Sequence, residues 1–228
     1  NGDWTALKRV VRYLIGRPRL VWKFVWQEAP KFISAFSDSN WAGCKSTRKS
    51  TSGGVVTVGL HCVKTWSKTQ STIALSSAEA ELYAIVKGVC EAIGIASLLK
   101  DLGIEREIRL HTDAAAALGI IGRKGVGKVR HIAVNELWLQ EQVAERKVSI
   151  HKIKNKFNLA DLLTKYPTAA EIEHVIDVMQ HSFLEGRHEL APALSLLDDN
   201  PSAHDVELHK TSKDGRQGCW CRGICTPL

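Results

Sequence analysis

The spacing of apolar and polar positions divides the chain into a helical start, an alternating α/β body and a tail without period. In residues 4–14, WTALKRVVRYL, apolar side chains recur at helical spacing with basic ones between them. One helix is predicted there, ended by Gly16 and Pro18. Leu20–Trp26 reads as a strand. Residues 32–37, FISAFS, form a short strand that runs into Asp38, and GVVTVGL (54–60) with CVKTWS (62–67) reads as a hairpin. In the segment that follows, Leu82, Ile85, Val86, Val89, Ile93 and Leu99 share one face of a long helix. Ser76 and Glu79 have the spacing of a capping box, and Gly103 is the stop. EIRLHT (107–112) is a strand ending at Asp113. Residues 114–121 are a short Ala-rich helix, 122–130 a loop of glycines and cations, 131–145 a helix, 147–153 a strand and 158–165 a short helix. Residues 168–186 are expected to form one more helix. From about Gly186 no periodicity remains, and the tail reads as disordered.

The order β-β-β-α-β-α-α-β-α predicts an α/β fold with a mixed sheet. The body is residues 31–167. Residues 1–30 are too short to bury a core of their own, and 168–228 form a C-terminal extension. Length and composition agree: 228 residues, 44% hydrophobic and 24% charged, describe one globular domain with flanks. The longest apolar stretch, Ala92–Leu99, is broken by Gly94 and Ser97 and falls short of the ~18 residues of a membrane span. With no initiator Met and no signal-peptide pattern, the chain is expected to begin within a longer protein or after processing. Six scattered cysteines suggest a reducing compartment rather than a disulfide scaffold.

Charge adds a partner class. Residues 1–37 carry seven Lys/Arg against two Asp/Glu, residues 38–167 nineteen against twelve, and residues 168–228 five against ten. A basic body with an acidic tail suits a polyanion, although a solvated surface gives the same count.

Against that basic background, four acids stand at informative places. Asp38 and Asp113 end strands, Asp161 opens the last helix of the body, and Glu81 lies in the first turns of the long helix. Acids flanked by apolar runs are costly unless a cation neutralises them. Hard oxygen ligands of this kind suit Mg²⁺ or Mn²⁺, and two such ions can clamp an in-line phosphoryl displacement. The alternatives are local: Asp113 and Asp161 as helix N-caps, and Glu81 as a partner of the helix dipole.

The blocks SDSNWAGCKSTRKSTSGG, TWSKTQSTIALSSAEAELYA and NLADLLTK together resemble the ribonuclease H domain of copia-type retrotransposon polyproteins, over roughly residues 31–167. LKRVVRYLIGRP is similar to the end of the reverse transcriptase in the same polyproteins. The resemblance implies a ribonuclease H-like fold, a five-stranded mixed sheet flanked by helices. It also implies cleavage of the RNA strand of an RNA–DNA hybrid with two Mg²⁺ (Mn²⁺ is an alternative), leaving a 3′-hydroxyl and a 5′-phosphate. The family's four metal-binding acids fall on Asp38, Glu81, Asp113 and Asp161. Glu81 is chosen over Glu79 because Leu82, Tyr83, Ala84 and Ile85 follow it in the family's pattern, while Glu79 is engaged with Ser76. The chain departs from that pattern at Asn40, where a second acid is usual, and at Ala114 and Ala115, where Asn or Ser is usual. It also has no His in the KNKFN stretch before Asp161; His151 is expected on the strand instead. These departures bear on turnover rather than fold.

For the hybrid, GRKGVGKVRH (122–131) offers Arg123, Lys124, Lys128, Arg130 and His131 beside flexible glycines. CKSTRKSTSGG (44–54) offers Arg48, Lys49 and hydroxyls for phosphate or 2′-OH. A solvated loop is the plain alternative for both. Trp41 and Trp66 are expected to pack rather than stack on bases. Cys219, Cys221 and Cys225 with His209 lack the usual zinc spacing, and free thiols are the simpler reading. The reverse transcriptase portion of the polyprotein is the expected protein partner, and no membrane partner is expected. Retroelement replication spans cytoplasmic particles and the nucleus, and the sequence does not choose between them. Three other functions stay open: a decayed binding module that keeps the fold without turnover, a DNA-cutting relative of the same broad class, and a purely structural tether for a polymerase, which the apolar helix within residues 1–30 motivates.

Overall fold

The structure is a computed structural model that describes residues 2–125, 138–186 and 188–190. Lys128, Arg130, His131 and the cysteines of the tail lie outside the described residues.

Strand β2 (Phe32–Asn40) is the centre of the body. The sheet has five strands in the order β4-β3-β2-β5-β6, the mixed α/β architecture expected. β3 (Thr51–Val58) runs antiparallel to β2, with Gly53 opposite Asp38, and β4 (His61–Thr69) antiparallel to β3. β5 (Glu107–Thr112) is parallel to β2 and β6 (Val148–Lys152) parallel to β5. Three parallel strands therefore end at one edge of the sheet, and the chain delivers Asp38 and Asp113 to that edge.

Helices cover both faces. Helix α2 (Ser77–Asp101) lays Leu82, Ile85, Val89 and Ala92 on Ile33, Ala35, Val56, Ile108 and Leu110. Complete burial of each larger aliphatic side chain stabilises the fold by ~1.5–3 kcal/mol. Val86, Ile93 and Leu99 of the predicted face are partly buried beside them. By length and composition α2 is apolar enough to cross a bilayer; here its apolar side meets the sheet. On the opposite face Val55 and Cys62 pack with Leu159 and Met179. The pleat sends Val55 and Val56 to opposite cores, which is why β3 is buried from Ser52 to Thr57 and shows no alternation.

The ends of α2 follow their sequence signals. Ser76 Oγ accepts from Glu79 N–H at 3.2 Å. Glu79 Oε2 reaches one residue further back than a capping box requires and accepts from Leu75 N–H at 2.8 Å. At the other end Gly103, at φ +77°, closes a Schellman turn, with Ile104 N–H donating to Leu99 C=O at 2.8 Å and Gly103 N–H to Lys100 C=O at 2.9 Å.

Helices α3 (Ala115–Ile121) and α4 (Trp138–Ala144) lie between β5 and β6. After β6 come two 3₁₀ turns, Asn155–Phe157 and Leu159–Leu163, and the second stands where a helix over 158–165 is predicted. Residues 168–186 are not one helix. They form α5 (Ala169–Val178) and then β7 (His181–Leu184), separated by Gln180 at φ +59°. β7 pairs antiparallel with β1 (Arg19–Trp22), itself shorter than the 20–26 predicted. A four-residue strand is too short to show its period, and its partner stands some 160 positions upstream, so local pattern could not reveal the pair. Arg17 bonds Glu173 across the same junction, and Trp22 stacks on His181 with ring centroids 4.7 Å apart. Helix α1 (Gly2–Gly16) forms as predicted, with no buried residue.

Candidate active site and metal centre

At the C-terminal edge of the parallel strands three carboxylates converge. Asp38, Asp113 and Asp161 each offer an oxygen, and these oxygens all lie within 4.8 Å of one another. Asp38 is 2% exposed, in the buried run Ser37–Ser39 near the end of β2. Asp113 follows directly on β5. Asp161 arrives from the other face, and the means is Asn158. Its side-chain amide donates to Ser37 C=O at 2.9 Å, and its Oδ1 caps the 3₁₀ turn by accepting from Ala160 N–H at 3.2 Å. One buried side chain thus starts the turn and fastens it to β2, one residue before Asp38.

The local alternatives for these acids do not hold. Ala114, not Asp113, occupies the cap position of α3, without a side-chain bond. Asn158, not Asp161, caps the 3₁₀ turn.

Close approach of the turn to β3 requires Gly53. A Cβ there would meet Thr164 Cγ2 at 2.6 Å and Leu163 Cβ at 3.0 Å. Beside it, Gly54 admits the Trp66 ring, which a Cβ would meet at 2.0 Å. Trp66 packs on the core as expected, and Trp41 donates its Nε1–H to Ala74 C=O at 3.0 Å.

Glu81 leans toward the cluster from the second turn of α2. Its Oε1 accepts from Ser39 N–H at 3.2 Å and from Ser39 Oγ–H at 3.0 Å. Its Oε2 is buried without a hydrogen-bond partner. Burial, reinforced by the negative charges of Asp38 and Asp113 and opposed by the Ser39 bonds, pushes the Glu81 carboxyl up to about 8. Glu79 is occupied elsewhere, by Leu75 N–H and by Tyr83 O–H, which donates to Oε1 at 2.7 Å. Burial likewise raises Asp161 to about 6, with Asp38 and Asp113 adding to it and Lys165 opposing.

Two further side chains complete the site, and sequence reasoning assigned neither a role. Thr164 donates its hydroxyl to Asp38 Oδ2. Lys165 places its ammonium 2.9 Å from Asp161 Oδ1 and 3.5 Å from Asp38 Oδ1. Burial works against that charge, but the bond to Asp161 and the charges of Asp38, Asp161 and Asp113 outweigh it and hold Lys165 above its ordinary range. The signal was present in NLADLLTK: a Lys four residues after an acid shares its face on one helical turn.

Three carboxylates, with the Glu81 carboxyl beside Asp38 and Asp113, are set against the ammonium of Lys165. Such a donor set, all hard oxygens and including an orphaned buried Oε2, fits a divalent cation such as Mg²⁺ or Mn²⁺. His111 stands two residues before Asp113, stacked on Phe36 with centroids 4.8 Å apart. Burial, with the charges of His151 and Arg109, lowers it to about 4. It is neutral near pH 7 and adds no competing charge. His151 lies on β6 as expected.

Of the expected nucleic-acid contacts, Arg48 and Lys49 sit in the loop between β2 and β3, at the same edge as the acids. The loop is braced by Arg48 N–H on Cys44 C=O at 2.7 Å and by Ala42 N–H on Ser50 Oγ at 3.0 Å. Arg123 and Lys124 follow α3, whose seven residues carry the chain about 10 Å from Asp113.

Comparison with known proteins finds transposon polyproteins and, over shorter stretches, proteins of other descriptions. The retrovirus-related Pol polyprotein from transposon RE2 of Arabidopsis thaliana is 32% identical over 168 residues, 72% of this chain and 12% of that protein. The one from transposon TNT 1-94 of Nicotiana tabacum is 29% identical over 164 residues, 71% of this chain and 12% of that protein. The chain therefore spans about an eighth of the length of these relatives. Secreted RxLR effector protein 161 of Plasmopara viticola is 40% identical over 90 residues, 40% of this chain and 63% of that protein. Among solved structures, the N-terminal RNase H domain of rv2228c from Mycobacterium tuberculosis aligns with a TM-score of 0.42 at 16% identity, over 64% of this chain and 96% of that one. LC11-RNase H1 in complex with RNA/DNA hybrid aligns with a TM-score of 0.40 at 18% identity, over 57% of this chain and 92% of that one. No family model matches the chain.

Proposed function

We propose, from the premise that this chain's homologues are copia-type retrovirus-related Pol polyproteins of transposons, that it is a ribonuclease H cleaving the RNA strand of RNA–DNA hybrids. The observation that carries the reading is the convergence of Asp38, Asp113 and Asp161 within 4.8 Å at the edge where the parallel strands end. Together with Glu81 they would hold two Mg²⁺, or Mn²⁺. Those ions, when bound, supply an activated water on one side of the scissile phosphate and charge stabilisation of the leaving oxygen on the other.

The protein's own contribution is arrangement. Asn158 and Gly53 let Asp161 reach the sheet edge, and Ser39 and Thr164 orient Glu81 and Asp38 by hydrogen bonds. Burial keeps the carboxylates poorly solvated, which strengthens their attraction for a cation. Arg48, Lys49, Arg123 and Lys124, with Lys128, Arg130 and His131, would hold the phosphates of the hybrid. Cleavage would leave a 3′-hydroxyl and a 5′-phosphate, and the reverse transcriptase portion of the same polyprotein would be the working partner.

A second reading is a binding module without turnover. Ala114, at the α3 cap position without a side-chain bond, favours it, because a polar residue there would steady the turn that carries Asp113. The test is an end-labelled RNA–DNA hybrid incubated with Mg²⁺ or Mn²⁺, beside single-stranded RNA, duplex DNA and an Asp38→Asn control. Metal-dependent cutting of the hybrid's RNA strand, lost in the control, is expected. A folded protein that binds the hybrid and does not cut it would establish the second reading instead, and a preference for cutting duplex DNA would overturn both.

A further inference from the structure

We propose that Lys165 is a built-in counter-ion that occupies the acidic site in its metal-free state and has to be displaced when a divalent cation binds. The inference rests on the reading of the four acids as a metal centre and goes beyond it. It assigns a control on metal entry to a residue outside the ligand set.

The geometry is specific. The ammonium bridges two acids carried by different elements, 2.9 Å from Asp161 Oδ1 on the 3₁₀ turn and 3.5 Å from Asp38 Oδ1 on β2. A divalent ion bound to those same oxygens at roughly 2 Å would stand within a few ångströms of the ammonium. Like charges at that separation repel strongly in a partly buried site, so both cannot remain.

The two partners differ in freedom. The Asp38 side chain is 3% exposed and tied to Thr164, whereas Lys165 is 44% exposed on a flexible four-carbon stem. The group that moves is Lys165. Without a counter-ion the apo site would leave several carboxylates facing one another, which costs stability.

Once released, the ammonium stands at the rim of the site, where a phosphodiester laid over the acids is the nearest new anion. A bound nucleic acid therefore takes Lys165 while the carboxylates take the metal. The two ligands then bind with positive coupling, and the coupling is reciprocal.

The experiment is a Mn²⁺ titration of the full metal-free chain, followed by electron paramagnetic resonance of free Mn²⁺, for the parent, Lys165→Met and Lys165→Arg. Without nucleic acid, Lys165→Met is expected to bind Mn²⁺ about tenfold more tightly, and Lys165→Arg within about threefold of the parent. Adding a non-cleavable hybrid made with 2′-O-methyl RNA should tighten Mn²⁺ binding more in the parent than in Lys165→Met. The metal-free melting temperature should fall in Lys165→Met, and its rise on adding Mn²⁺ should exceed the parent's. Should Lys165→Met fail to fold without metal, Lys165→Gln carries the same test. Equal or weaker Mn²⁺ binding by the uncharged variants would overturn the inference and leave the metal centre standing. A parent that binds no Mn²⁺ at millimolar concentration would overturn the metal centre itself.

Discussion

Glu81→Gln replaces a buried carboxyl by an amide of the same shape, and its effect on stability should depend on pH with a definite sign. Burial, with Asp38 and Asp113 adding to it, moves Glu81 from 4.5 to about 8 in the folded chain. Below pH 4.5 the carboxyl is protonated in both folded and unfolded chains. Between 4.5 and 8 the unfolded chain releases the proton and the folded chain keeps it, so folding loses stability as pH rises. Above 8 the loss is complete. At about 1.4 kcal/mol per pH unit, a rise from 4.5 to about 8 corresponds to roughly 5 kcal/mol as a ceiling. Asp161, raised to about 6 by burial first, contributes with the same sign at lower pH, but it is present in both chains and cancels in the difference. The assay is urea unfolding in EDTA at pH 5, 7 and 9, followed by tryptophan fluorescence. At pH 5 the two proteins should agree within about 1 kcal/mol, since an amide replaces a protonated acid. At pH 9 the variant should be the more stable by several kcal/mol, and Mg²⁺ should stabilise the parent more than the variant. Parallel pH profiles, or a variant less stable than the parent at pH 9, would refute the placement of Glu81 against Asp38 and Asp113.

Other substitutions separate the roles. Asp113→Asn should abolish cleavage of an end-labelled hybrid while weakening hybrid binding little; cutting at the parent's rate would remove Asp113 from the site. Glu79→Gln should leave cleavage nearly intact and lower stability by ~0.5–2 kcal/mol in urea unfolding, because it weakens the bonds to Leu75 N–H and Tyr83 O–H. Loss of activity there, with Glu81→Gln active, would reverse the choice between the two glutamates. Gly53→Ala should cost ~1–3 kcal/mol and lower activity, since its Cβ would press Thr164 away from Asp38; an unchanged melting temperature would show that the turn yields freely. Arg48→Gln and Lys49→Gln should each reduce the slope of log K against log salt for hybrid binding by about one, and an unchanged slope would place the contacts elsewhere.

Much of the architecture was legible in the chain. The period-3.6 face of α2, its Ser76 start and its Gly103 stop are local signals, and local backbone physics obeys them. The strands that lead to Asp38 and Asp113 were equally readable as apolar runs, although β2 continues past Asp38 to Asn40 and keeps Asp38 and Ser39 buried. What failed was the reading of 168–186 as a single helix. α5 is capped by Thr168 with Glu171 and ends two residues before Gln180, and the strand beyond it is defined only by β1 on the far side of the body.

The site divides along the same line. Residue type and order along the chain brought Asp38, Glu81, Asp113 and Asp161 forward as candidates beside local alternatives, and it was the resemblance to a known family that joined them into one set and chose Glu81 over Glu79. That Asn158 draws the 3₁₀ turn onto Ser37, that Gly53 must lack a side chain, and that Lys165 neutralises two acids from different elements were decided only in three dimensions. Each of these depends on a distance between segments more than a hundred residues apart in sequence. The chain's own pattern sets which face of an element is apolar and where it ends. Which buried charges become neighbours, and so how far each carboxyl departs from its ordinary acidity, follows from the packing of the sheet edge.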